Sequence, residues 1–387
     1  MATSVAVTRA PYIRDRYTWL AYGMLAYFAY LQAALGPVMP FLRAELGLNF
    51  TLAGLHISAM ATGMIFAGLT GAALAARLGR PAVFWGGGGG MAAGALLLIV
   101  GASPTVTIGG ALVMGVFGTY LLNMIPATLA DLHGANRATA VTEANVAASV
   151  ASTLPPIIIG LLAGTVITWR GAFWLGVVAW ATALLLARRI ALPAPVLTTG
   201  QAGRGPLPRR FWLVWVMIVL LVAAEWSVVA WSADFMAGPV GLDRALASGL
   251  MTAFFGAMVV GRFVGSRLTR RMDTATLLPM ALALGISGFL LFWLARTPAL
   301  NVVGLFAAGL GVANLFPLSL AWATTIAGDQ TDRASALISL AAGLAILIAP
   351  QTLGAAADAI GLARAMGLVA ILQLAAGGVM IAARRER

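Results

Sequence analysis

The sequence predicts an all-α integral membrane protein with twelve transmembrane helices in two pseudo-symmetric six-helix halves. Apolar residues fill 61% of the 387 positions and charged residues only 9%, with mean hydropathy +0.95. An ordinary soluble domain carries roughly 25% charged residues. Apolar runs of the ~20 residues needed to span a bilayer recur along the whole chain, and short motifs repeat in the same order in its two halves.

The predicted spans are 17–42, 52–76, 82–101, 105–131, 139–166, 171–190, 211–237, 245–269, 275–295, 299–327, 333–357 and 362–383. Arginines punctuate most of them. Arg14 and Arg16 precede the first span, Arg77 and Arg80 separate the second from the third, and Arg137 precedes the fifth. Arg170 precedes the sixth and Arg188 and Arg189 close it, Arg209 and Arg210 precede the seventh, and Arg270 and Arg271 follow the eighth. Short breaks such as Gly101-Ala-Ser-Pro104 and Arg296-Thr-Pro298 suit a compact bundle. The longest break, 191–210, is rich in Pro, Gly and Thr with three arginines, and reads as a cytoplasmic linker between halves 17–190 and 211–387.

The net charge of +12 comes from 24 arginines without a single lysine. Their clustering at span ends is a topology signal rather than a nucleic-acid footprint. With the amino terminus (1–16) taken as a cytoplasmic tail, 18 arginines fall inside, five outside (Arg43, Arg170, Arg244, Arg296, Arg364), and Arg262 lies within the eighth span. That excess predicts both termini in the cytoplasm. The expectation is a multi-pass plasma-membrane protein, in a bacterial inner membrane, acting as a monomer. The absence of cysteine excludes disulfides, thiol chemistry and Cys-based metal sites. No cofactor or metal is expected.

The internal repeat is legible in several places. Asn123-Met-Ile-Pro126 in the fourth span matches Asn314-Leu-Phe-Pro317 in the tenth. Each is followed by a loop ending in Arg-Ala (Arg137, Arg333), then by a span with proline in its outer half (Pro155-Pro156, Pro350). The second and eighth spans share Gly-x4-Gly spacing at Gly63/Gly68 and Gly256/Gly261. Repeats of this kind are typical of secondary transporters, with the substrate site at the midplane between them.

Over essentially its whole length the chain resembles the major facilitator superfamily. The stretch Ala72-Ala-Leu74-Ala-Ala76-Arg77-Leu-Gly79-Arg80 is similar to that family's loop between helices two and three, except that Ala76 stands where the family has aspartate. The copy Gly265-Ser-Arg267-Leu-Thr269-Arg270 also lacks the acid. The resemblance assigns that carboxylate to latching the cytoplasmic side, so a different latch is expected here. A narrower resemblance, Ala224-Glu225-x5-Trp231-Ser232 followed by Gly261-Arg262-x2-Gly265-x-Arg267-Leu268, is to the fucose-permease-like branch, which implies proton-linked sugar symport. The glycine-rich fifth-helix motif of drug/proton antiporters is largely missing from Ala147–Gly164.

Glu225 is the leading candidate, a carboxylate inside the apolar run Phe211–Met236. An ionised group at that depth costs at least ~2.5 kcal/mol, so it marks a functional site by default, here proton coupling. Trp226 and Trp231 flank it and offer stacking faces, and Ser232 lies two turns further along its own face. In the family fold, spans one, four, seven and ten line the cavity. That implies Tyr27, Tyr30 and Gln32 of the first span, Tyr120 and Asn123 of the fourth, and Asn314 and Trp322 of the tenth as substrate-binding candidates. For Tyr27 and Tyr30 the alternative is packing between helices, and for each Asn a hydrogen bond to a neighbouring helix or to a carbonyl freed by its proline. Thr142, Asn145, Ser149 and Ser152 form a polar stripe on the fifth span. Glu143 and Arg262 sit at similar depth on spans five and eight and are expected to pair as a gate. Asp234 and His56 read as interfacial, and Gly86–Gly90 as close helix packing rather than a phosphate loop.

The expected function is a secondary active transporter of a small neutral or cationic solute, driven by proton symport, with protons and the lipid bilayer as partners and no nucleic acid. The alternatives are a proton-driven exporter of amphiphilic compounds or a transport-inactive membrane sensor. Two histidines at opposite faces, no cysteine, and neither GxSxG nor HExxH argue against an enzyme.

Overall fold

The computed structural model describes residues 12–194 and 205–386. Most of the expected tail and the middle of the expected linker therefore lie outside the described residues. Within them the chain is all-helical, in the order α1 (Arg16–Leu46), α2 (Phe50–Leu78), α3 (Arg80–Val100), α4 (Pro104–His133), α5 (Arg137–Ala151), α6 (Leu154–Leu162), α7 (Arg170–Ala187) and α8 (Arg209–Ala237). It continues through α9 (Arg244–Leu250), α10 (Thr252–Leu268), α11 (Thr274–Leu294), α12 (Pro298–Val312), α13 (Leu315–Ala327), α14 (Thr331–Ile360), α15 (Leu362–Ala365) and α16 (Gly367–Arg385).

Helix ends follow the local chemistry. Asp15, Asn49, Asp243 and Asp273 cap α1, α2, α9 and α11 by accepting backbone N–H bonds that the first turn leaves free. Prolines sit in the first turn of α3, α4, α6 and α12, where the missing N–H costs nothing. Pro155-Pro156 separates α5 from α6, because neither residue can donate back into the preceding turn.

Ten helical segments among the described residues are long and apolar enough to cross a membrane. Two of these, Pro104–Leu162 and Pro298–Ile360, run to 59 and 63 residues. As straight rods they would reach about 90 Å, three times a ~30 Å hydrocarbon core. Each is interrupted by a 3-10 turn, Gly134–Asn136 and Gly328–Gln330. The tally by length and composition thus differs from the expected twelve at these two joined segments.

Packing explains the glycine run in α3. A Cβ on Gly87 would press on the α4 backbone at Phe117 and Leu121, and one on Gly90 would overlap the Phe117 ring. Close helix packing is therefore the role of that run, as its sequence predicted. The two described stretches meet along α1 with α8 and α9, α2 with α14, α5 with α10, and α6 with α9 and α10.

Candidate functional site

A cavity of about 150 Å³ lies where α1, α5, α8 and α10 converge. Gln32 enters from α1, Asn145 and Ser149 from α5, Ser152 from its carboxyl end, Glu225 and Trp226 from α8, and Arg262 from α10. Val229, Phe255 and Met258 supply an apolar wall. Glu225 is partly buried there, within electrostatic reach of Arg262, and makes no hydrogen bond or ion pair among the described residues, so its oxygens are available to the cavity. Arg262 donates from Nη1 to the Ser149 hydroxyl across the α5–α10 seam. Gln32 reaches only the Met64 sulfur, at 3.8 Å. The cavity therefore combines one carboxylate, one guanidinium, two amides, two hydroxyls and an indole.

Of the candidates read from the sequence, Glu225, Trp226, Gln32 and Arg262 come together here. So do Asn145, Ser149 and Ser152 of the polar stripe. The other substrate-binding candidates lie outside this cavity, most of them in packing positions. Tyr27 donates to the Gly88 carbonyl at 3.0 Å and Tyr30 to that of Ala172 at 2.7 Å, so both point into the neighbouring helices α3 and α7. Tyr120 faces α2, its hydroxyl 2.8 Å from that of Thr70. Asn123 is exposed on α4 beside Gly71. Asn314 donates to the Gly261 carbonyl of the neighbouring helix α10 at 2.7 Å, not to a carbonyl freed by Pro317. Trp322 lies under the Arg210 guanidinium, 5.6 Å from the ring centroid. Trp231 is buried, donating to the Pro350 carbonyl at 3.0 Å and packed edge-on against Phe50, and Ser232 is buried with it. Helical pitch explains the pair: both lie well over one turn beyond Glu225, past the cavity floor.

The expected Glu143–Arg262 pair is not formed in this conformation. Glu143 accepts from Arg14 Nε at 2.7 Å and from the Tyr22 hydroxyl at 3.0 Å. Arg14, ahead of α1, has its pKa raised by that hydrogen bond. No acid stands at Ala76, and Arg80 of the same turn pairs with Asp131 of α4 at 2.7 Å, a contact within the first stretch.

Sequence reading also missed a cluster at the end of the bundle away from the chain termini. Arg43 Nη1 lies 2.6 Å from Asp234, whose side chain is only 3% exposed, and its guanidinium covers the Phe50 ring. Asp358 of α14 accepts from the backbone N–H of Phe50 and Thr51, each at 2.8 Å. Ser248 donates to the Pro37 carbonyl, and Ser58 to that of Leu347. Apart from Arg262–Ser149, the polar contacts described between the two stretches all fall toward this end. The available signal was the depth match of Arg43 and Asp234, each near the outer end of its span. His56 likewise proves structural, buried with Nε2 2.9 Å from the Thr107 hydroxyl.

Among the described residues, the chain is thus a helical bundle with several bilayer-length spans and a small polar cavity at a four-helix seam. The description "Major Facilitator Superfamily" fits residues 18–350, and the chain belongs to that family. It is 29% identical over 270 residues to a glucose/galactose transporter of Brucella abortus, a match covering 68% of this chain and 62% of that relative's length. It is 25% identical over 359 residues to an uncharacterized transporter of the same superfamily from Yersinia pestis, covering 88% and 89% of the two chains. Among solved structures it is similar to a bacterial homolog of the human lysosomal transporter Spinster in an inward-facing, occupied conformation, with TM-score 0.81, 14% identity and coverage of 97% and 98%. It is also similar to the nucleoside transporter NupG (D323A mutant), with TM-score 0.79, 12% identity and coverage of 94% and 98%.

Proposed function

We propose that this protein moves a small neutral or cationic polar solute across the plasma membrane by alternating access, in symport with protons carried by Glu225. The observation that carries the reading is the placement of Glu225 at the α1–α5–α8–α10 seam, in one cavity with Gln32, Asn145, Trp226 and Arg262. A carboxylate there responds both to solute and to the meeting of the two stretches. Trp226 offers a stacking face and the amides offer hydrogen bonds, a donor set suited to a hydroxyl-rich or nitrogen-bearing solute. The likeness to a glucose/galactose transporter supports a sugar-sized substrate. We take the two stretches as six-helix halves joined by the linker 191–210, and the termini as cytoplasmic, on the arginine pattern. On that reading, the contacts at the far end close the outside and the structure faces inward.

Glu143 and Arg262 form the proposed gate. In this conformation each has another partner, Arg14 and Ser149, and on closure of the cytoplasmic side they exchange these for one another. Exchange of ion-pair partners suits a two-state element, because neither arrangement need be much more stable than the other.

Transport in proteoliposomes tests the reading. Glu225→Gln is expected to abolish pH-gradient-driven accumulation while substrate exchange persists; full accumulation by this variant removes Glu225 from coupling. Glu143→Arg and Arg262→Glu are each expected to depress transport, and the double swap to recover it. Failure of the swap to recover activity removes the gate.

A further inference from the structure

We propose that the groove between α10, α11 and the α12–α13 junction binds an anionic phospholipid, with an acyl chain in the groove and the phosphate held by Arg267, Arg270 and Arg271. The groove encloses about 420 Å³ and is walled by Val260, Val264, Leu268, Met280, Leu284 and Leu318. Val260, Val264, Met280 and Leu284 are 46%, 45%, 53% and 42% exposed, so this face looks out of the bundle. Gly261 and Gly265 let α10 close tightly on the α12–α13 junction and form the floor of the groove, since a Cβ at either would run into Ala313 or Asn314. The one amide in the wall, Asn314, already donates to the Gly261 carbonyl, which leaves a lining suited to methylene groups.

At its end toward the chain termini the groove is bounded by Leu268 and Thr269, directly between Arg267 and Arg270. Arg267 is laid over the Phe263 ring at 3.6 Å, on the outward face of α10. Arg270 and Arg271 are exposed, and no ion pair engages either among the described residues. The acid in this turn, Asp273, is committed to capping α11 through the Thr276 N–H at 2.9 Å. Arg384, bonded to the Ala275 carbonyl, adds a further positive charge beside it. The corresponding turn after α2 differs, because its Arg80 is neutralised by Asp131 and bonded to the Pro193 carbonyl. The second turn thus keeps its charge for a ligand. An apolar slot opening onto unpaired arginines at a span end matches a lipid with one or more hydrocarbon tails and a net negative headgroup.

Native mass spectrometry of the detergent-purified full chain tests this, using phosphatidylglycerol and phosphatidylcholine with identical acyl chains. Phosphatidylglycerol is expected to be retained preferentially. Each interfacial arginine is worth roughly fivefold in affinity for an anionic lipid. Arg270→Gln/Arg271→Gln should therefore remove on the order of 25-fold of that preference and leave phosphatidylcholine retention unchanged. Met280→Trp, which fills the slot from its exposed wall, should lower retention of both lipids. Equal retention of the two lipids by the parent protein overturns the proposal, as does a preference that survives the arginine double variant. Unchanged retention in Met280→Trp overturns the groove as the acyl site. Both variants carry substitutions at exposed positions, and their thermal midpoints in lipid-free detergent should match the parent's.

Discussion

Arg43 and Asp234 illustrate how much a single enclosed ion pair can hold. The carboxylate is almost wholly buried, one of its oxygens has no hydrogen-bond partner, and the guanidinium is stacked on Phe50. Removing one member of such a pair leaves an uncompensated charge, at a cost of about 3–5 kcal/mol. Asp234→Asn is therefore expected to loosen the far end. The natural absence of cysteine makes this measurable. A single Leu48→Cys beside the pair should react with an impermeant maleimide at least about tenfold faster in the Asp234→Asn background, the equivalent of ~1.4 kcal/mol in opening. An unchanged rate would show that the pair does not hold this end shut. At this scale the sequence was only partly legible. Glu225 announced itself because an acid in an apolar run has no innocuous explanation. Asp234 did not, because a charge near a span end has an ordinary interfacial reading, and only the fold brings Arg43 of α1 to it. Tyr27 and Tyr30 went astray for the opposite reason: spacing shows which face of a helix a residue occupies, but not whether a carbonyl of α3 or α7 waits on that side.

Among the elements, α1 and α8 cross tightly at Gly36. Gly36 lies against Val229, and a Cβ there would overlap the Val229 carbonyl. Gly36→Val is expected to force α1 from α8, lower the thermal midpoint, and raise labelling at the same Leu48→Cys reporter. A variant with parental midpoint and labelling would show that this crossing is not tight in the membrane. Helix limits were the most legible feature of the chain, since arginines, prolines and polar caps mark many of the ends by local chemistry. The predicted span 52–76 becomes α2 at Phe50–Leu78, and 275–295 becomes α11 at Thr274–Leu294. Interruptions were less legible. The break at Ser152–Thr153 had prolines to signal it, whereas α14 passes through Pro350 unbroken. Proline removes a donor, but neighbouring helices decide whether the rod bends or stops.

Over the whole molecule, the asymmetry of contact decides the conformation. Polar bonds between the two stretches collect at one end, while toward the termini Glu143 and Arg262 face other partners. Paired cysteines should report this directly. A disulfide between Thr51→Cys and Asp358→Cys at the far end is expected to form readily and to block transport, whereas one between Glu143→Cys and Arg262→Cys should form only as the other end closes with substrate. The family and its helical bundle were readable from composition, span recurrence and repeated motifs. The walls of the cavity were not, because they depend on how four helices from distant parts of the chain rotate against each other.

One of those far-end contacts carries a further consequence. The first amides of α2, at Phe50 and Thr51, are satisfied by Asp358 of α14 rather than by a residue of their own segment. When the two stretches part, that helix start loses its carboxylate and must take up water instead. Hydrogen exchange at these two amides is thus a built-in clock for opening, readable without any label. A substrate that holds the protein in this conformation should slow it.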